Sequence, residues 1–301
     1  MIIESNHICV CISTFKRPDL LKRLLNVLSR QITEERFSYS IVIADNDHKQ
    51  SAKEVVSAFA AASSIEITYC VEPEQNIALA RNMALANSKG NFIALIDDDE
   101  IPEKDWLYFL FQTLNNGNVD GVLGPVRPYF EHKPPQWATR GKFFDRPEHA
   151  TGHKMNWSET RSGNVLIKKE IINGIEHPFR AEFGTGSEDV DFFRRMIGKG
   201  KVFIWCNEAP VYELVPPVRC TRGYQIKKAL LRGGNSLKYE DQRRACNIIR
   251  SFVAIPIYSF SLPFLFLMGD HLFMKYLTKL CDHTGRILKL LDINPIKERG
   301  K

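Results

Sequence analysis

Short apolar runs alternate with helix-spaced stripes along the first hundred residues. Residues 7–13 (HICVCIS) read as a buried strand, and Pro18 then opens a helix striped by Leu20, Leu21, Leu24, Leu25 and Leu28. Residues 40–44 (SIVIA) predict a second strand that ends on Asp45-Asn46-Asp47. A helix over 52–61 and a strand over 65–71 follow. Residues 76–88 (NIALARNMALANS) predict a helix with Asn76 as its N-cap, Gly90 just beyond its end and an alanine-rich face suited to close packing. Residues 92–96 are a strand that stops on Asp97-Asp98-Asp99-Glu100. This order predicts an α/β fold with a doubly wound, mainly parallel sheet, which binds ligands at the C-terminal ends of its strands.

Periodicity then lapses. Residues 125–163 are rich in proline, aromatic and basic residues, the pattern of a binding loop or lid. It resumes with a strand at 164–168, a helix at 188–197 and a strand at 201–205. Residues 252–268 (FVAIPIYSFSLPFLFLM) are uncharged but fall short of the ~20 residues of a full membrane span, and they include two prolines and two serines. The basic, amphipathic stretch 272–291 suits a membrane interface. Two readings stay open: a monotopic anchor dipping into one leaflet, or a buried helix pair. The expected division is a catalytic domain at 1–218 and a basic helical tail at 219–301.

Charge sharpens that division. The net charge of +6 conceals a tail with 16 Lys and Arg against 6 Asp and Glu, and a body with 25 against 29. An acidic body with a basic tail points to a polyanionic partner for the tail. The seven cysteines form no CxxC pair, and most sit in apolar surroundings, so they read as reduced, buried thiols of a cytosolic protein. The N-terminus has no basic region before its first strand, so no secretory leader is expected.

The carboxylates that follow residue 96 carry the candidate chemistry. In extended chain Asp97 and Asp99 share a face. Like charges this close raise a pKa unless a cation lies between them, and hard oxygen ligands suit Mg²⁺ or Mn²⁺. A solvated acidic turn is the plain alternative. A second acidic group, GSEDVDFF, opens the helix at Glu188. There Thr185-x-x-Glu188 also fits a capping box, which would make the acids a helix-start signal.

In order and spacing, CISTFKRPDLL, IVIADND, NIALARNMALANSKGNFIALIDDDE and GSEDVDFFRR over 8–213 resemble the family 2 glycosyltransferases of the GT-A fold. IDDDE and LGPVRP resemble, within that family, the bacterial exopolysaccharide glucosyltransferases of the succinoglycan type. The resemblance implies inverting transfer from a nucleotide sugar, a UDP-sugar above all, with Mn²⁺ or Mg²⁺ as cofactor. It implies that Ser13, Phe15, Asp45, Arg81, Asp97 and Asp98 bind the nucleotide sugar. Phe15 stands where the family usually has tyrosine. Asp45 would accept the uracil N3–H; an Asx turn is its alternative. Asp99, Asp97 and Glu213 would hold the metal, Glu213 standing where relatives often place a histidine. Asp189 would be the catalytic base, with Glu188 orienting the acceptor. Trp157, Arg161 and Asn164 are candidate acceptor contacts, and Arg219 and Arg222 candidate phosphate contacts.

The implied partners are a lipid-linked saccharide acceptor and the membrane surface, with no nucleic acid, at the cytoplasmic face of the cell membrane. Two other classes stand beside this one. A sugar nucleotidyltransferase needs the same cation, but it would carry a glycine-rich loop where this chain has STFKRPD. The other is a non-catalytic, membrane-bound assembly factor with a nucleotide-binding fold.

Overall fold

The computed structural model describes residues 6–184, 186–238 and 244–293. The chain forms two compact units, Met1–Arg127 with Arg146–Glu213, and Pro128–Asp145 with Leu214–Lys301.

In the first unit the strands are β1 (His7–Thr14), β2 (Ser38–Asp45), β3 (Ile67–Val71), β4 (Phe92–Asp97), β5 (Glu100–Pro102), β6 (Gly121–Leu123), β7 (Val126–Tyr129, which runs on into the second unit), β8 (Asn164–Lys168), β9 (Phe203–Trp205) and β10 (Val211–Leu214). Seven of them form one sheet in the order β3-β2-β1-β4-β8-β6-β9. β3, β2, β1 and β4 run parallel, and β8 lies antiparallel to both β4 and β6. The sheet is therefore mixed but mainly parallel. A smaller sheet has the order β5-β10-β7.

Side-chain alternation splits the core into two layers. Ile8, Val10 and Ile12 face one way, onto α1 (Pro18–Leu28), whose Leu21, Leu24, Leu25 and Leu28 are fully buried. Cys9 and Cys11 face the other way, with Ala78 and Ala84 of a helix whose small side chains let it lie close on the strands. After α2 (Lys53–Ala62), that helix is α3 (Ile77–Ala86), and Asn76 caps it as expected by accepting from the N–H groups of Ala78 and Leu79.

Several elements escaped the sequence reading. α4 (Trp106–Gly117) is one, and β7 and the short α5 (Gln136–Arg140) interrupt the stretch expected to be irregular. The helix of the second acidic group, α6 (Glu188–Gly198), follows Ser187 at φ 79°, a left-handed conformation uncommon for serine, and Ser187 makes no side-chain cap bond. Glu188 is thus the first helical residue, not the third as a capping box requires; Thr185 lies outside the described residues.

The second unit is helical: α7 (Arg222–Asn235), α8 (Arg244–Met268) and α9 (Asp270–Leu290). α7 and α9 pack closely because two glycines let their backbones meet. A Cβ on Gly233 would lie 1.9 Å from the Asp282 carbonyl, and one on Gly285 2.1 Å from that of Leu230. α8 runs unbroken through Pro256 and Pro263 for 25 residues, about 37 Å at 1.5 Å per residue, so it is longer than its uncharged run suggested. Phe252, Ile257, Phe260, Phe264 and Leu267 are all exposed, which sets aside the buried helix pair. Residues 245–268 are long and apolar enough to cross a membrane. Four of the cysteines are buried as expected; Cys246 is exposed.

Candidate active site

The ends of β1, β2 and β4 stand side by side, with Thr14 opposite Asp45 and Ser13 opposite both Ala44 and Asp97. That register gathers Ser13, Asp45 and the acidic run at one edge of the sheet.

Two arginines organise the acids. Arg17 Nη1 donates to Asp98 Oδ1 at 3.0 Å and to Asp99 Oδ2 at 3.1 Å. Arg81, buried on α3, donates through Nη2 to Asp97 Oδ1 at 2.8 Å and through Nη1 to Glu188 Oε1. One guanidinium thus joins the strand-end aspartate to the start of α6, two motifs more than ninety residues apart in sequence. The same helix fixes the approach to α6. Asn82 exchanges hydrogen bonds with Phe179 at 2.7 and 2.9 Å, and Asn76 Nδ2 donates to the Ala181 carbonyl at 2.9 Å.

The aspartate triplet divides by partner. Asp97 is the most open, its side chain 39% exposed. Asp98 is buried, and its carboxylate is taken up by the Thr14 hydroxyl at 2.7 Å and by Arg17. Burial pushes its pKa up, and Arg17 and Thr14 pull against that. Asp98, expected to contact the nucleotide sugar, is placed inward, where it ties the end of β4 to β1.

Glu100, unassigned from sequence, lies at the centre of the acidic cluster. It is buried, and its Oε2 accepts from the Asp97 N–H at 3.0 Å. Burial, then the charges of Asp97, Asp99 and Glu213, hold its pKa well above the usual carboxylate range. A Cβ at Gly163 would meet Glu100 Oε1 at 2.3 Å, so only glycine admits it there. Glu213 pairs with Glu100 across β10 and β5, and Arg146 bonds its carboxylate. Asp97, Asp99, Glu100 and Glu213 together present hard oxygens whose mutual repulsion a divalent cation would relieve, so the residues present fit Mg²⁺ or Mn²⁺.

Asp45 is fully buried. Its carboxylate accepts from the N–H groups of Asp47 at 3.1 Å and Ala52 at 2.8 Å and from the Tyr69 hydroxyl at 2.8 Å, an Asx-type turn that uses most of its acceptor capacity. Phe15 is half-buried, with the Lys16 ammonium 4.9 Å from its ring centre. The acids of α6 also divide. Asp191 is held by Arg180 and Arg195, and Glu188 by Arg81, with Glu188 Oε2 buried and unbonded. Among the described residues Asp189 has no cationic partner; it is half-buried, and its Oδ1 accepts from the Val190 N–H at 2.7 Å.

Of the expected acceptor contacts, Trp157 is half-buried under the Arg194 guanidinium, 5.4 Å from its ring centre, and Arg161 is exposed. Asn164, the third, lies inside the fold. It is 1% exposed, its Oδ1 accepts from Trp106 Nε1 at 2.7 Å, and its Nδ2 donates to the carbonyls of Pro125 and Ala209 at 2.9 and 2.8 Å. Both of its amide hydrogens are thus spent inside the fold. Arg219 and Arg222 belong to the second unit, where Arg222 bonds Asp270. Arg17 and Glu100 are the residues that sequence reasoning passed over. Each stands inside a quoted motif, CISTFKRPDLL and IDDDE, which was the available signal.

A mainly parallel α/β sheet with its acids at the strand ends is the architecture of the GT-A glycosyltransferases, and solved members share it. The mannosyltransferase PcManGT of Pyrobaculum calidifontis, in complex with GDP-Man and Mn²⁺, superposes with a TM-score of 0.67 at 15% identity, over 97% of this chain and 89% of its own. TarS 1–349 of S. aureus, in complex with UDP-GlcNAc, gives 0.55 at 13%, over 96% and 93%. The chain belongs to glycosyl transferase family 2, whose model matches residues 9–173. It is 32% identical over 234 residues to the succinoglycan biosynthesis protein ExoM of Rhizobium meliloti, covering 76% of this chain and 74% of ExoM.

Proposed function

We propose that this chain is an inverting, divalent-metal-dependent hexosyltransferase that moves a sugar from a UDP-sugar onto a lipid-linked oligosaccharide. Its place is the cytoplasmic face of the membrane, in the assembly of a cell-surface polysaccharide such as an exopolysaccharide. Residues 1–218 form the catalytic domain and 219–301 the membrane-associating tail. The observation that carries this reading is the Arg81 bridge, which brings the half-buried strand-end Asp97 and the start of α6 to one place. The ExoM resemblance supports the polysaccharide setting, and the nucleotide sugars bound by the solved neighbours support the donor class.

Each step has a residue suited to it. Asp189 takes the proton of the acceptor hydroxyl as that oxygen attacks the anomeric carbon from the face opposite the leaving diphosphate. Among the described residues no cation is bonded to it, whereas Arg81 bonds its neighbour Glu188 and Arg180 bonds Asp191. Asp97 and Asp99, with Glu213, would hold the metal, which when bound supplies Lewis-acid neutralisation of the diphosphate. Arg17 pairs with Asp99 and with Asp98 beside it, and adds positive charge at that edge. Ser13 and Phe15 flank the nucleotide from the end of β1.

The test is release of the nucleoside diphosphate (UDP or GDP) from a panel of UDP- and GDP-sugars, with and without Mn²⁺, by the wild type and Asp189→Ala. Metal-dependent release that falls about 10²–10⁴-fold in the variant is expected, the range for loss of a general base. No metal-dependent turnover of any donor would leave the non-catalytic assembly factor as the better account. Normal turnover by Asp189→Ala would remove the base assignment alone.

A further inference from the structure

The second unit contains a groove of about 450 Å³ between α7, α8 and α9, within the size range of small-ligand sites. Its lining is cationic and its charges are poorly matched. Among the described residues that line it the one carboxylate, Asp282, is already engaged by Arg232, whose Nε and Nη2 reach the two carboxylate oxygens at 2.8 and 2.5 Å. Arg286 is half-buried and, among the described residues, bonds no carboxylate: its partners are Ser236 Oγ at 2.9 Å, Ser251 Oγ at 2.8 Å, the Asn247 carbonyl at 3.3 Å and His283 Nδ1 at 3.5 Å. Arg250 is exposed and, among the described residues, has no hydrogen-bond or ion-pair partner. Lys279 is exposed and rests only on the Tyr276 ring, 4.8 Å from its centre.

These cations press on one another. Burial lowers the pKa of Arg286, and Arg250 lowers it further while Asp282 opposes. Burial, then Arg286 and Arg250, lowers that of His283 in the same groove, again against Asp282. Among the described residues, positive charge gathers in a concavity whose carboxylate is already bonded to Arg232, an arrangement suited to an anion. A surface face of ordinary solvated lysines would show neither the cavity nor the half-buried, uncompensated guanidinium.

We propose that this groove binds a phosphate group, as a phosphomonoester or diphosphate, with Arg250, Lys279 and Arg286 as its cationic ligands. Guanidinium forks match phosphate oxygens in geometry as well as charge. Two sources carry that chemistry, a lipid headgroup and a free anion. The lipid source suits the position, because Arg250 and Tyr258 line the groove from α8, and most of the apolar side chains of that helix between Phe252 and Met268 are exposed. The proposal rests on the function argued above only for the lipid's being the acceptor carrier; the anion site stands without it.

The experiment measures binding of the full chain to three probes: phosphatidylcholine vesicles containing phosphatidic acid, plain phosphatidylcholine vesicles, and inorganic pyrophosphate in solution. Arg250→Glu and Lys279→Glu, both at exposed positions, should each weaken phosphate-dependent binding about tenfold, the worth of one charged hydrogen bond. Arg250→Lys should recover most of it. Lys275→Glu makes the same charge change on α9 outside the groove, and should cost under about threefold.

Groove-dependent preference for phosphatidic acid without pyrophosphate binding assigns the lipid source, and groove-dependent pyrophosphate binding assigns the free anion. An equal loss in all three charge-reversal variants, or a wild type that binds no probe beyond plain vesicles, overturns the proposal. UDP release by the same preparations reports separately on the transferase reading, so each can fail alone.

Discussion

The two compact units solve opposite charge problems. At the strand ends of the α/β unit carboxylates are crowded and two arginines are inserted among them, so nearly every acid has a partner. In the helical unit cations are crowded and the nearby carboxylate is already taken. The first arrangement is rigid because its charges are buried and cross-linked between distant parts of the chain. The second leaves its charge open. A site that must hold reacting groups in fixed geometry resembles the first, and a site that must accept an arriving anion resembles the second.

The widest test of that contrast is Arg81→Met. It leaves Glu188 buried without its cation, and breaking a buried pair costs about 3–5 kcal/mol. Denaturant unfolding should show that loss, and UDP release should fall with it. Arg81→Met combined with Glu188→Gln should recover most of the stability and little of the turnover, because the tie between Asp97 and α6 stays cut. If the single variant is as stable as wild type, the acidic unit is not cross-linked in the way the contrast requires.

Asn164→Ala comes next. It strips partners from the Trp106 indole and from the carbonyls of Pro125 and Ala209, and a buried unsatisfied polar group costs about 1–3 kcal/mol. Its KM for any acceptor should stay at the wild-type value. A raised KM with unchanged stability would return the residue to the acceptor.

A smaller effect follows from Glu100, whose folded pKa is raised above its ordinary 4.5. A raised carboxyl binds its proton more tightly in the folded state. That contribution is complete below pH 4.5 and is lost as pH rises through the folded value. Metal-free protein should therefore unfold more easily at pH 8 than at pH 5. Glu100→Gln keeps an acceptor for the Asp97 N–H and removes the charge. It should flatten that slope and raise Tm at pH 8 by about 2–4 °C, the shift that about 1 kcal/mol produces in a domain of this size. A melting curve with the same pH slope in both proteins would place the repulsion elsewhere.

How far the sequence led depended on how local each signal was. β1, β2, β4 and α3 were legible because period-two and helical patterns, with Asn76 as cap, are written in adjacent residues. α4 was passed over although Asp105 stands at its N-cap position, a start signal in the sequence that makes no side-chain cap bond in the structure. The strands β5, β6, β7 and β10 are three or four residues each, too short for alternation to register. Acidic residues at two strand ends were visible as a site, but their partners were not. That Arg81 turns to both Asp97 and Glu188, or that Asn164 spends its amide on Trp106, depends on packing between segments far apart in the chain. Motifs located the chemistry, and only the fold separated Asp98, which braces the sheet, from Asp97, which faces outward.

The smallest expected effect sharpens the contrast from the helical side. Arg232 and Asp282 form a two-bond ion pair in the helical unit that looks, by distance, as good as the one between Arg81 and Asp97. Yet the Arg232 side chain is 60% exposed, against 6% for Arg81. Exposed pairs gain little because water already solvates both charges and salt screens what remains, so their measured worth is about 0–1 kcal/mol. Arg232→Ala should move the unfolding midpoint barely, and less still at 0.5 M NaCl, where the Arg81→Met penalty should persist. It should also free Asp282 to compete for Arg286, and so weaken pyrophosphate binding in the groove while the fold stays intact. A large, salt-independent loss of stability in Arg232→Ala would mean that the helical unit, too, is held together by its ion pairs, and the distinction between a braced site and an open one would fail.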